Sequence, residues 1–114
     1  MTNAILVYYS MVSRNCLKRM LRSHGIEVYP ISGRAPNATE TVRKYPTNVV
    51  VIDRDVADIS VTQAVRQIAQ ILPQSLIFTA TANDQRAEVY RNGRRIGSVN
   101  VEEILHFAAV QPME

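Results

Sequence analysis

Residues Thr47–Asp55 read TNVVVIDRD. Val49 to Ile52 are uninterrupted β-formers, and Asp53, Arg54 and Asp55 follow them directly. An apolar run with no polar alternation is the pattern of a strand covered on both faces, as in the middle of a parallel sheet. Asp53 then falls where such a strand leaves the core. Whether it is a chemical site or only a polar stop depends on what the rest of the chain brings beside it.

Working outward, the same grammar repeats. AILVYY (Ala4–Tyr9) is a second near-continuous apolar run. Ser13 stands as the N-cap of a helix whose Cys16, Leu17, Met20, Leu21 and His24 recur at helical spacing, with Gly25 as its stop. IEVYPIS (Ile26–Ser32) alternates and carries Pro30, which suits an edge strand. Asn37 and Glu40 have the spacing of a capping box for a short helix ending near Tyr45. Ser60 to Leu72 reads as a helix with Val61, Val65, Ile68, Ala69 and Leu72 on one stripe. SLIFTA (Ser75–Ala80) is a fourth strand. NDQRAEVYRNG (Asn83–Gly93) reads as a helix, because strand and helix alternate everywhere else; a hairpin about Asn92-Gly93 is the rival reading. RRIGSV (Arg94–Val99) is a short fifth strand, and Asn100 with Glu103 caps a last helix running through Val110.

Five strands alternating with five helices predict a single α/β domain over residues 1–114. The expected architecture is a flavodoxin-like (βα)5 three-layer sandwich with a five-stranded parallel sheet in the order 2-1-3-4-5. Function in such sheets sits beyond the carboxyl ends of the strands. Those ends carry Tyr9, Ser10, Asp53, Arg54, Asp55, Thr79 and Ala80.

Composition narrows the classes. With 46% apolar and 20% charged residues the chain is globular in character. Its one cysteine, Cys16, excludes an internal disulfide and a zinc site of several thiolates. Cys16 lies on the apolar side of its predicted helix, where a thiol is inert. His24 and His106 lack metal-like partner spacing. The thirteen Lys and Arg give a net charge of +3 but are spread along the chain, and there is no tryptophan, which argues against direct nucleic-acid binding. No apolar run approaches the roughly 20 residues of a membrane span. The opening apolar run is short and has no cationic segment before it, so a cytoplasmic location is expected.

The whole pattern resembles a response-regulator receiver domain. In that family an aspartate at the end of strand three accepts a phosphoryl group, which Asp53 in NVVVID matches. A Thr or Ser followed by a small residue ends strand four, which Thr79-Ala80 in IFTA matches, with Thr79 as the switch hydroxyl. NVEEIL (Asn100–Leu105) resembles the start of the family's fifth helix. Two further positions depart from the family. Its acidic pair after strand one, which holds Mg²⁺, is replaced by Tyr8, Tyr9 and Ser10. Its lysine at the end of strand five falls at Gly97 or Ser98, with Arg94 and Arg95 the nearest cations.

Phosphoryl transfer to a carboxylate depends on neutralising the charge that builds on the transferred oxygens. Asp53 and Asp55 could supply Mg²⁺ with two carboxylates, but Asp55 must point back into the pocket from its loop. The resemblance therefore implies an atypical receiver: a signalling module without catalysis and with no cofactor of its own, acting through a protein partner or an attached output domain. Mg²⁺ enters only under the alternative, a phospho-accepting receiver built on Asp53. A second alternative is an anion or nucleotide sensor in which Arg14, Arg34 and Arg54, each following a strand end, converge on one site. The family's output face, made by helix four, strand five and helix five, would place Tyr90, Arg94, Arg95, Ile96, His106 and Phe107 in one partner or homodimer surface.

Overall fold

A computed structural model of the chain describes residues 2–45, 47–55, 60–81, 84, 86–104, 106 and 107. The elements are β1 (Thr2–Tyr8), α1 (Met11–Ser23), β2 (Ile26–Ser32), α2 (Ala38–Thr41) running on into a 3₁₀ turn (Val42–Lys44), and β3 (Val49–Asp53). After these come α3 (Val61–Ile71), β4 (Leu76–Ala80), β5 (Arg86–Arg91), β6 (Arg94–Asn100) and a second 3₁₀ turn (Val101–Glu103). The sheet order is β2-β1-β3-β4-β5-β6. β2, β1, β3 and β4 are mutually parallel, whereas β5 is antiparallel to both of its neighbours.

The four parallel strands follow the predicted order, and every residue of β3 and β4 is buried. Pro30 lies on β2, an edge strand that pairs only with β1, so its missing N–H costs no second ladder. The Thr47 hydroxyl donates to the Asn3 carbonyl at 2.6 Å and accepts from the Val49 amide at 3.2 Å, tying the start of β3 to β1.

Strand alternation divides the core in two. Ala4, Leu6, Val49, Val51, Leu76 and Phe78 face α1 and the C-terminal turn, where Leu17, Leu21, Val101 and Ile104 meet them. Ile5, Val7, Val50, Ile52 and Ile77 face the other way, onto Val42 and onto Val65, Ile68 and Ala69 of α3. Each fully buried Leu, Ile or Phe contributes about 1.5–3 kcal/mol, so both core layers add to the stability of the sheet between them.

The predicted helix over Asn83–Gly93 is not formed; its described part is strand β5. Ala87 and Val89 point into the α1-side core, while Glu88 and Tyr90 alternate to the other face. That period of two outweighs any helical stripe. Asn92 at φ 53° and Gly93 at φ 81° then close a two-residue hairpin, a conformation that suits Asn-Gly. The sheet thus has six strands, not five. β6 runs parallel to β4 again, but one strand further out. It takes the place of the expected fifth strand and ends at Asn100, where the predicted capping box forms with Glu103.

Smaller corrections follow from local geometry. α1 begins at Met11, and Ser10 rather than Ser13 caps it, its hydroxyl accepting from the Ser13 amide at 3.2 Å. Asn37 makes no side-chain cap. Glu40 pairs instead with Arg43 along the helix. Cys16 is exposed, because Leu17 and Leu21 take the buried stripe and the preceding position turns outward. Ala108, Ala109 and Val110, the predicted end of the last helix, lie outside the described residues.

Candidate functional site

The carboxyl ends of β1, β3 and β4 bring Tyr9, Ser10, Asp53, Arg54, Asp55 and Thr79 to one end of the sheet. Asp53 has no solvent exposure. Its Oδ1 accepts the Asp55 amide at 3.0 Å, the short-range turn that an aspartate favours at a strand end. Its Oδ2 is buried with no hydrogen-bond partner. Burial pushes the carboxyl above the ordinary aspartate range; the Asp55 amide and the Ser13 hydroxyl pull it partly back, and the Asp55 carboxylate adds to the rise. No arginine is among the groups that set this balance.

Tyr9 occupies the other face. Val7 and Ile31 share its core, and its ring fills the space above Gly33, where an added Cβ would stand 2.2 Å from the ring's Cε1. The Gly33 amide donates to the Tyr8 carbonyl at 2.7 Å, so this glycine is held where only a bare α-carbon fits. Arg34 donates from Nε to the Tyr9 carbonyl at 3.0 Å and lies 6.0 Å from the ring centroid. Burial raises the phenol's pKa, the charge of Asp53 raises it further, and Arg34 opposes both.

Arg54 turns away from Asp53. Its amide donates to the Ala80 carbonyl at 2.9 Å, and Nη1 donates to the Thr79 carbonyl at 2.5 Å. Nη2 reaches Asp84 Oδ2 at 2.7 Å and the Arg86 carbonyl at 2.9 Å. The Arg86 amide in turn donates to Asp84 Oδ1 at 2.9 Å. These bonds clasp the residue after Asp53 to the start of the β5–β6 hairpin. The Arg86 amide holds the Asp84 carboxyl below its ordinary range; desolvation opposes it, and the charge and hydrogen bond of Arg54 add to the lowering. Arg14 is directed elsewhere again, its guanidinium 5.7 Å from the Tyr8 ring. The three arginines Arg14, Arg34 and Arg54 therefore do not converge: Arg14 lies by Tyr8 at the end of β1, Arg34 by Tyr9 on the α3-side core, and Arg54 points toward β5.

Thr79 is buried but lies opposite Ile52 in the β3–β4 register, on the α3 face. Asp53 alternates with Val49 and Val51 onto the α1 face, so strand geometry turns the two side chains apart. Asp55 is exposed. The six residues expected in one interface are also divided. Tyr90 packs on the α3-side core and Arg95 pairs with Glu88. Phe107 packs on the α1-side core, edge-on to Phe78 at 6.2 Å. Ile96 is 46% exposed, at a bulge in the edge strand β6. His106 is exposed.

Among the described residues the oxygen donors do not gather as Mg²⁺ would require. It needs hard oxygens with one or two carboxylates converging at about 2.0–2.1 Å. Ser10 is occupied as a helix cap and Tyr9 is locked in the core under Arg34. Among the described residues, no three His, Cys, Asp or Glu side chains gather as a cation site would require. Among them also, no helix is long and apolar enough to cross a membrane.

No protein-family model matches the chain, and no curated protein matches it. Among solved structures it is similar to the crystal structure of a response regulator receiver domain protein from Clostridium thermocellum, with 19% identity and a TM-score of 0.53. The similarity covers 69% of this chain and 64% of that one. The chain thus shares the fold of that receiver domain protein, with an antiparallel strand, β5, lying between β4 and β6.

Proposed function

We propose that the chain is an atypical receiver-like regulatory module that works through contacts with a protein partner or an attached output domain, in the cytoplasm, and not by Mg²⁺-dependent phosphorylation of Asp53. The observation that carries this reading is the enclosure of Asp53. The carboxylate is fully buried, and the residues beside it at the end of β1 already have structural tasks: Ser10 caps α1 and Tyr9 interlocks with Gly33. A phosphoryl donor needs access to the carboxylate oxygen and cations to neutralise the transferred group. The displacement of β6 adds to this. By resemblance, the fifth strand brings a lysine to the phosphoryl group. Here the strand in that role is separated from β4 by β5, about 5 Å further from Asp53. We assign the module no catalysis and no cofactor.

One observation favours a second reading, the phospho-acceptor. Asp53 Oδ2 is unpartnered, so it has a lone pair free to attack a donor that reaches it. Incubation with acetyl phosphate and Mg²⁺ followed by intact-mass measurement separates the two. The regulatory-module reading predicts no added phosphoryl mass; a modification lost in Asp53→Asn would establish the second reading instead.

A further inference from the structure

We infer that Arg91 and Arg94, side by side where the β5–β6 hairpin turns, form a binding site for an oxyanion, the chemistry shared by phosphate and carboxylate groups. The two are directly opposite in the β5–β6 register, as the last pair before the Asn92-Gly93 turn. Facing residues on an antiparallel pair hold their Cβ atoms about 4.5–5.5 Å apart, and like charges so placed are destabilising. The tight turn leaves the strands no room to splay.

Arg91 also faces Leu76 across the β4–β5 ladder and lies two residues beyond Val89, so its stem follows the rim of the α1-side core. Its Nη2 is buried and has no hydrogen-bond partner. Among the described residues neither guanidinium has a carboxylate: the neighbouring Arg95 pairs with Glu88 on the opposite face of the hairpin. Arg94 is exposed, so the pair opens to solvent. An anion bridging the two would cancel the cross-strand repulsion, and a turn of the partly exposed Arg91 guanidinium would bring its orphaned Nη2 to the ligand; the planar fork of arginine suits bidentate contact with phosphate or carboxylate. The site lies in the β5–β6 hairpin, at the end of the sheet away from Asp53, and is independent of the function proposed above.

Thermal unfolding tests it. Inorganic phosphate and acetate are each titrated against chloride at matched ionic strength, with the arginine Nε–H resonances followed in parallel. Phosphate, acetate or both should raise the melting temperature beyond chloride, by about 4–6 °C at ten times the dissociation constant, and the better ligand identifies the source. Arg94→Glu places a carboxylate opposite Arg91 as a built-in ligand, and should itself raise the melting temperature and abolish the anion response. Arg91→Gln should abolish the response without that rise. If both anions act no differently from chloride, or if the response persists in Arg94→Glu, the inference is overturned, whether or not Arg91→Gln folds.

Discussion

Replacing Asp53 by Asn should stabilise this protein at neutral pH. The carboxylate is fully buried, and the Asp55 amide on Oδ1 and the Ser13 hydroxyl only partly offset that burial. An unsatisfied buried polar atom costs about 1–3 kcal/mol, and more when charged. The amide of Asn keeps the acceptor for the Asp55 amide and removes the charge while leaving one group unpartnered. The net gain is therefore about 1–2 kcal/mol, or about 4–8 °C in melting temperature for a chain of this length. The pH dependence fixes the sign. The folded-state pKa of Asp53 lies above its unfolded value of 3.8. Its favourable contribution is thus fully present below pH 3.8 and is lost as the pH rises through the folded value. Urea unfolding of both proteins across this range should show nearly equal stability at the acid end and a gap that opens upward and then stays constant. An Asn variant less stable than the parent at pH 7, or a gap that ignores pH, would refute the account of Asp53 as an enclosed, only partly compensated acid.

Other perturbations test the parts around it. Gly33→Ala should cost about 1–3 kcal/mol by driving a methyl into the Tyr9 ring, and much of that loss should disappear in a Tyr9→Ala background; additive losses would disprove the interlock. Gly93→Val should cost about 1–2 kcal/mol through backbone strain alone, since φ is 81° and nothing lies within 4 Å of the added Cβ; unchanged urea unfolding would count against the hairpin. Arg54→Ala should speed hydrogen exchange at the Arg86 amide, because the clasp that orders Asp84 is gone, and unaltered protection there would contradict it.

Most of the parallel half of the fold was legible from patterning. Val49–Ile52 and Leu76–Phe78 have the apolar density of strands buried on both faces, and Val65, Ile68 and Ala69 mark the inner side of α3. The hairpin was legible too, in Asn92-Gly93 and in the alternation of Ala87 and Val89 with Glu88 and Tyr90. It lost only to the expectation that strands and helices keep alternating. The site was harder to read. Strand ends locate Asp53, but not the burial that governs its proton. No spacing in the sequence announces that Gly33 must pass under the Tyr9 ring, or that Asp84 and Arg86 will clasp Arg54, because those contacts join segments distant along the chain. The predicted meeting of Arg14, Arg34 and Arg54 failed for a related reason: position after a strand says where a residue starts, not which face its side chain follows.

The central claim is that Asp53 sits in a receiver fold without the surroundings for receiver chemistry. Backbone amide spectra recorded with and without Mg²⁺ and beryllofluoride, a mimic of the phosphoryl group, test it most directly. The account predicts that amides from Ile52 to Asp55 and from Thr79 to Thr81 stay unchanged in the presence of both. A Mg²⁺-dependent shift centred on Asp53 and spreading to the β5–β6 hairpin would contradict it.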